Sequence, residues 1–294
     1  MTEKAYQVTF PLTQAQLDEL RALPKNTDVE IRGQIIEGHI TKQIINNHDL
    51  NHIMNALPDD IGTLCFYTTD LFCRSTIAFQ TFAEKLPIDL QKLEISFSNP
   101  YDEEDDEDNN IADKLLLLMQ NLPSSVISLV LNNNDLQPLS SAELQTFACA
   151  IPETVQSISL ESSEVNELNF FKLIEHLPPT IQKLYIADND IFNFEPENLK
   201  NLFEILPRDI QMVDLGEAND LDENVNFTPF IAEVFKKNPR LNLKEIWLDG
   251  QNLLAQIATP AVTVLGKRSS LFSNAHHPDN QDDEGATPAK CSKP

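Results

Sequence analysis

Glycine is scarce in this chain, with seven residues among 294. Loops that wrap phosphate groups with backbone N–H groups depend on closely spaced glycines, so this scarcity counts against nucleotide-binding motifs. Cysteine is also scarce: its four residues form no CxxC pair, which argues against a disulfide framework and favours a reducing compartment. No apolar run approaches the roughly 20 residues that a membrane-spanning helix needs, and the opening MTEKAYQ has no signal-peptide core.

Basic side chains are outnumbered, with 21 Lys and Arg against 46 Asp and Glu, for a formal net charge of −25. That charge repels phosphate, so we expect no direct nucleic-acid partner and no attraction to anionic lipid. Residues 256–294 carry four acidic and four basic side chains, so the whole net charge belongs to the residues before them. A partner protein with a basic patch suits this charge.

An internal repeat is the strongest signal in the chain, and a proline after leucine or a similar residue marks each unit. These prolines are Pro24, Pro58, Pro87, Pro123, Pro152, Pro178, Pro207 and Pro239. From the second proline onward, six of seven units have apolar residues three, six and eight positions after the proline, and the last unit has one extra residue. The period-two alternation predicts a strand with one buried face, and repetition at this spacing predicts a solenoid.

An amphipathic helix precedes the next proline in several units, as in SSAELQTFACAI, NFFKLIEHL, PENLKNLFEIL and TPFIAEVFKK. Ser141 is a candidate N-cap of the first of these helices. Because the residue before a proline avoids helical backbone, we expect each proline to end its helix.

The motif LxxLxLxxNxL stands out within the repeats, as Val126-x-x-Leu129-x-Leu131-x-x-Asn134-x-Leu136 and again over residues 181–191. It resembles a leucine-rich repeat, and units of about 29 residues with a helix resemble the ribonuclease-inhibitor subclass. The resemblance implies an α/β solenoid, a horseshoe with a parallel concave sheet and helices on the convex side. Other residues take the asparagine position elsewhere, namely Thr69, Ser98, Ser163, Ala218 and Gln251.

A narrower resemblance concerns the connector LPxxIxxLxLxxN, which is similar to that of leucine-rich-repeat effectors of Legionella. Those proteins are delivered by a Dot/Icm type IV secretion system, which implies virulence function, a bacterial cytoplasmic origin and a final place in the host cell cytosol. Their secretion signals lie in polar C-terminal tails with a short acidic block. Residues 273–294, with the block Asp282-Asp283-Glu284, have that character.

Three regions follow from these patterns. We predict an N-terminal capping segment at 1–54, about seven leucine-rich repeats at 55–254, and a cap remnant with a disordered tail at 255–294. Within the first region, 13–24 predicts a helix and 28–41 one or two strands with Gly33 and Gly38 at turns or bulges. An F-box, which some bacterial repeat effectors carry there, is an alternative without a convincing run of residues.

An acidic insertion explains the longest repeat unit. Residues 101–110 contain seven consecutive acidic side chains, Asp102 to Asp108. Such a run predicts a solvated loop, and we expect 101–110 and the tail 266–294 to be mobile. A docking arm for a basic partner, or a loose site for divalent cations, is the functional alternative.

Catalytic and metal-binding motifs are not apparent. No GxSxG nucleophile elbow occurs, and Cys149 lies among apolar helix residues where core packing is expected, whereas Cys65 should face outward from a strand. His48 and His52 stand four apart without a third ligand. We therefore predict no cofactor, no metal and no enzymatic activity; an enzyme with its site in residues 1–54 is the less favoured alternative.

Binding is predicted on the concave sheet face, where residues five, seven and nine positions after the proline should point outward, with each position shifted by one in the last unit. The predicted partner-binding residues are Tyr67, Lys92, Glu94, Val130, Asn132, Glu161, Lys183, Tyr185, Met212, Asp214, Glu245, Trp247 and Asp249.

Within this set, Tyr185, Met212 and Trp247 should form an apolar strip across adjacent strands, because aromatic residues and Met anchor protein interfaces. Packing of Trp247 under a cap at 251–265 is the alternative. We expect a monomer that binds a host protein, and an acidic mimic that inhibits a basic or nucleic-acid-handling host enzyme is the alternative function.

Overall fold

A computed structural model of the chain describes residues 5–32, 35–36, 39–40, 45–67, 69, 71–73, 75–96, 110–189, 196–216, 242–248 and 250–258. All of these belong to one compact unit, which extends from Met1 to Thr259. The acidic run Asp102–Asp108, the tail 266–294 with its proposed signal at 273–294, and the helix predicted at TPFIAEVFKK lie outside the described residues.

A sheet of ten strands forms one layer of this unit. The described strands, of which all but β3 and β4 belong to this sheet, are β1 (Tyr6–Val8), β2 (Asp28–Arg32), β3 (Ile35–Ile36), β4 (His39–Ile40), β5 (Thr63–Tyr67), β6 (Lys92–Ser96), β7 (Ser128–Val130), β8 (Ser157–Ser159), β9 (Lys183–Tyr185), β10 (Met212–Asp214), β11 (Glu245–Leu248) and β12 (Gln251–Asn252). β3 and β4 pair with each other as a hairpin, and the other ten form the sheet in chain order. Every neighbouring pair in that sheet is parallel except β11 and β12.

Helices connect the parallel strands, as such strands require. They are α1 (Gln14–Arg21), α2 (Asn47–Ala56), α3 (Thr76–Ala83), α4 (Ile111–Asn121), α5 (Ser141–Ala150), α6 (Glu167–Glu175) and α7 (Pro196–Ile205). A 3₁₀ turn at Leu71–Cys73 and a short helix at Leu253–Ala258 complete the described helical segments. Each of the seven helices contacts the next one along the chain, so the helices form a second layer in the same order as the strands.

The hydrophobic core lies between the sheet and the helices. The positions three, six and eight after the proline are buried in the first six units, as for Val126, Leu129 and Leu131 of the third unit. In the last unit, which has one extra residue, the corresponding positions four, seven and nine after the proline are buried. The predicted repeat register is therefore confirmed. Its physical basis is that period two along a strand places alternate side chains on one face.

Local signals at the helix ends explain where the helices begin and end. Ser140, not Ser141 as predicted, is the N-cap of α5, because Ser140 and Glu143 form a reciprocal capping box. The Ser141 hydroxyl instead donates to Asn169. The C-cap residues Leu122 and Ile151 precede prolines and have extended backbone, as predicted.

A buried polar ladder links successive repeats beyond the strands. The amide of Asn134 donates to the Ile95 carbonyl at 2.7 Å, and that of Asn189 donates to the Leu160 carbonyl at 2.6 Å. Between these two repeats Ser163 serves the same purpose, since its hydroxyl donates to a carbonyl of the preceding repeat at 3.3 Å. Serine can therefore replace asparagine at this position without interrupting the ladder.

The N-terminal segment extends the sheet. β1 and β2 precede the seven predicted units, yet they pair in parallel register with them, with Val29 opposite Leu64 and Ile31 opposite Phe66. Helix α1 and strand β2 were expected; β1 was not. The capping role of residues 1–54, and the boundaries at 54 and 254, stay predictions.

Candidate functional site

The candidate site lies on the open face of the sheet, which is the face opposite the hydrophobic core. The parallel pairing aligns its side chains in rows across the strands. One row is Thr63, Lys92, Ser128, Ser157, Lys183, Met212 and Glu245, and the next is Cys65, Glu94, Val130, Ser159, Tyr185, Asp214 and Trp247. Along each strand these residues alternate with the buried core positions, and their role in partner binding stays a prediction.

A groove of about 510 Å³ crosses the open face over strands β6 to β9. Seven predicted site residues line it: Lys92, Glu94, Val130, Asn132, Glu161, Lys183 and Tyr185. Ile127, Gln156 and Gln182 also line it and were missed by the sequence analysis. Each of them stands four positions after the proline, directly before its strand. They would have been found from the sequence if the outward positions had started at the fourth residue after the proline and not at the fifth.

A buried polar cluster on strands β5 and β6 of the open face surrounds Glu94, a residue that is 8% exposed. Its carboxylate pairs with the Lys92 ammonium at 2.8 Å and accepts from the Ser96 hydroxyl at 3.5 Å. Burial lowers the pKa of Lys92, but the Glu94 carboxylate outweighs burial and the net pKa is raised. The neighbouring Tyr67 is half-buried, with the Arg32 guanidinium 5.0 Å above its ring centroid.

Cys65 and Cys149 differ in burial from what the sequence predicted. Cys65 points to the open face but is buried, because the Glu94 cluster covers it, and Cys149 is exposed rather than packed in the core. On α5, Phe147 and Ala148 face the core, so the next residue points away from it. Burial and the Glu94 carboxylate raise the pKa of the Cys65 thiol to about 12, so it stays protonated at neutral pH and is a poor nucleophile.

Glu161 occupies the middle of the groove in a fixed orientation. The Asn132 amide donates to its carboxylate at 2.8 Å, and the Asn132 carbonyl oxygen accepts from the Ser159 hydroxyl at 2.7 Å and from the Glu161 backbone N–H at 3.0 Å. Burial raises the pKa of Glu161, and the carboxylates of Asp214, Asp188 and Glu94 raise it further. No lysine or arginine of the described residues forms an ion pair with Glu161.

We expect Glu161→Gln to raise the melting temperature at pH 7. A carboxyl with a raised pKa stabilises the fold when protonated and loses that stabilisation as pH rises through the folded pKa, so the ionised group is unfavourable at neutral pH. Glutamine keeps an oxygen for Asn132 and removes the charge. Thermal melts at pH 7 and pH 4 should show a difference from the native chain that shrinks in acid. Glu153→Gln, an exposed site in the same repeat, is the control, and an equal or lower melting temperature for Glu161→Gln at pH 7 contradicts the prediction.

From the β9 edge of the groove onward, two aromatic residues flank a carboxylate on three adjacent strands. Asp214 is directly opposite Tyr185 on one side and Trp247 on the other. The predicted apolar strip is therefore wrong in one respect: Met212 lies two residues earlier, level with Lys183 and Glu245. Side chains two residues apart on a strand share a face but stand in different rows.

Trp247 is half-buried, and its indole N–H donates to the Glu245 carboxylate at 2.8 Å. The strand that carries it pairs with β12 at the end of the sheet, with Trp247 opposite Asn252. Asp249, the last predicted site residue, lies outside the described residues.

The described part of the chain offers neither a metal-binding cluster nor a membrane-spanning helix. No group of three or more His, Cys, Asp and Glu residues there could hold a metal ion. His48 and His52 stack with ring centroids 4.1 Å apart on α2. Among the helices that the structure describes, none is long and apolar enough to cross a membrane.

Comparison with solved structures identifies the fold. The crystal structure of the leucine-rich repeat-containing protein LegL7 from Legionella pneumophila matches this chain with a TM-score of 0.61 and 20% sequence identity. The match covers 84% of this chain and 77% of that chain. The chain has a leucine-rich-repeat fold. No family model matches it, and no match is found among curated proteins.

Proposed function

We propose that this chain is a non-enzymatic scaffold that recognises a partner protein through the open face of its sheet. The groove over β6 to β9 is the observation that carries the proposal. Its side chains differ from repeat to repeat, whereas the buried positions are uniformly apolar. Variable side chains on a regular frame are how solenoid repeats recognise proteins.

A groove-filling variant tests the proposal. Ser128→Tyr combined with Ser157→Tyr places two uncharged rings in the groove at positions that are half-buried and outside the core. We expect the native chain to capture a partner from host-cell lysate that this variant does not capture. Ile77→Tyr, on the helix layer where Ile77 is 78% exposed, is the matched control and should capture normally. Equal capture by all three chains contradicts a binding site in the groove.

The biological setting belongs to the same proposal: a bacterial effector that is made in the bacterial cytoplasm and acts in the host cell cytosol as a monomer. The repeat connector and the polar tail support it, together with a fold shared with a Legionella leucine-rich-repeat protein. No cofactor is required for such a role.

We expect deletion of residues 273–294 to abolish delivery into host cells while leaving the melting temperature unchanged. The reason is that the tail has too few apolar residues to stabilise the repeats, whereas its polar acidic block has the character of a secretion signal. Delivery of a reporter fusion during infection is the measurement. Exchange of the tail for a Gly-Ser segment of equal length is the control for length. Undiminished delivery of the truncated chain contradicts the signal.

An acidic mimic that inhibits a basic or nucleic-acid-handling host enzyme is a second candidate. The net charge of −25 and the ionisable groups Glu161 and Asp214 on the open face favour it. The two candidates differ in their salt dependence, because a mimic relies on charge and releases its partner at high ionic strength.

A further inference from the structure

We propose that the open face binds an arginine side chain of its partner, which stacks between Tyr185 and Trp247 and pairs with the Asp214 carboxylate. This inference rests on the proposed function and names the chemistry that the partner presents. The occupant is an exposed, arginine-bearing segment of another protein. Tyr185, Asp214 and Trp247 form a row of three aligned side chains, and Tyr185 also lines the groove.

The geometry of the row suits a planar cation. Adjacent strands are about 4.8 Å apart, so the backbones of Tyr185 and Trp247 stand about 10 Å apart with Asp214 between them. A guanidinium above Asp214 can therefore come within the roughly 6 Å of each ring at which cation–π attraction acts. Both rings and the carboxylate are half-buried, so part of each is accessible.

Several carboxylates lie around this row of side chains. The Glu161 and Glu245 carboxylates lie close enough to Tyr185 that, after burial and Asp214, they contribute to raising the pKa of its phenol. None of these carboxylates forms an ion pair with a lysine or arginine that the structure describes. Lys92 is held by Glu94 at the far side of the groove. An incoming cation would relieve the repulsion between the Asp214 and Glu161 carboxylates.

Arginine fits this arrangement better than lysine or a metal ion. Its planar fork can donate two hydrogen bonds to one carboxylate while its faces stack on aromatic rings, whereas a lysine ammonium is a point charge that does neither. A metal ion needs several converging ligands, and the described residues contain no such group. The Asp214 carboxylate is also oriented, since its Oδ1 accepts the Gly216 backbone N–H at 3.0 Å.

Selected peptides provide the test, because the natural partner is unidentified. A random-peptide library is selected on the full-length chain, and binding of each peptide is followed by the fluorescence of Trp247, the one tryptophan of the chain. We expect peptides that bind the open face to require an arginine at one position. Exchange of that arginine for citrulline, which keeps the shape and removes the charge, should weaken binding about tenfold or more.

A variant of the protein tests the same contact from the other side. Asp214→Asn should weaken the arginine peptide by a similar factor and leave the citrulline peptide unchanged, while the exposed control Asp209→Asn should affect neither. Peptides that bind the open face equally with arginine, lysine or citrulline overturn the inference and leave the proposed function standing. Face binding is recognised by its loss in the groove-filling variant. Failure to select any face-binding peptide counts against both. The citrulline comparison uses the native chain, so it is decisive even if Asp214→Asn does not fold.

Discussion

Phe82→Ala should destabilise the fold by about 3–5 kcal/mol, the usual cost of truncating a buried phenylalanine. Phe82 is 1% exposed and lies on α3 within a cluster of aromatic rings. Its ring meets Phe66 of β5 edge to face at a centroid distance of 5.3 Å, and it lies 5.5 Å from the Phe79 ring. Alanine therefore loses apolar burial, the ring contact with Phe66 that joins the helix layer to the sheet, and the ring contact with Phe79 within α3.

The same helix supplies the control for this prediction. Ile77 is 78% exposed, so Ile77→Ala should change the free energy of unfolding by no more than about 0.5 kcal/mol. Urea denaturation of the full chain, followed by circular dichroism, measures both variants. In a repeat protein each unit is stabilised by its neighbours, so disruption of the first repeat should also weaken β6 and α4 of the second. A Phe82→Ala chain as stable as Ile77→Ala contradicts the buried cluster.

The repeat register could be read from the sequence because it depends only on local alternation. Leu129 and Leu131 are buried and Val130 is on the open face, as a strand with one core-facing side requires. The N-terminal strands were harder to recognise. Val29 and Ile31 stand five and seven residues after Pro24, one residue earlier than the matching positions of the next six units, so alignment on proline does not show that β2 continues the repeat register.

Which residues of the open face are accessible could not be read from alternation. Cys65, Glu94 and Ser96 point away from the core and are still buried, because the side chains of adjacent strands pack over one another. Alternation gives the face to which a side chain points, while burial depends on the size and charge of neighbours brought together by strand pairing. The level of Met212, in contrast, follows from alignment on proline, because Met212 stands five residues after Pro207 as Lys183 does after Pro178.

The open face also carries an electrostatic cost that a purely structural surface would avoid. The pKa of Glu161 is raised by burial and by nearby carboxylates, so its charge weakens the fold at neutral pH. Unfavourable charge is typical of binding and catalytic sites, where stability is lost in return for function. A gain in stability from Glu161→Gln together with a loss of arginine-peptide binding would connect this cost with recognition.

Tyr185→Ala combined with Trp247→Ala should weaken binding of the captured host partner by roughly 30-fold or more, since truncation of a central interface aromatic commonly costs about 2 kcal/mol. Both side chains are half-buried on the open face and lie outside the hydrophobic core. The melting temperature should therefore change little. Calorimetric titration of the partner and thermal melts of the same preparations are the measurements.

The double variant Tyr185→Phe with Trp247→Phe is the matched control, because it keeps an aromatic ring on each strand. It removes the phenolic hydroxyl and the indole N–H that donates to the Glu245 carboxylate. This variant should retain most of the affinity, since the stacking surface remains. A double alanine variant that melts several degrees lower would mean that the rings are packed against the C-terminal segment, as the alternative for Trp247 predicts. One that melts normally and binds the partner as tightly as the native chain would place the binding site elsewhere, and the acidic run Asp102–Asp108 would then be the next segment to alter.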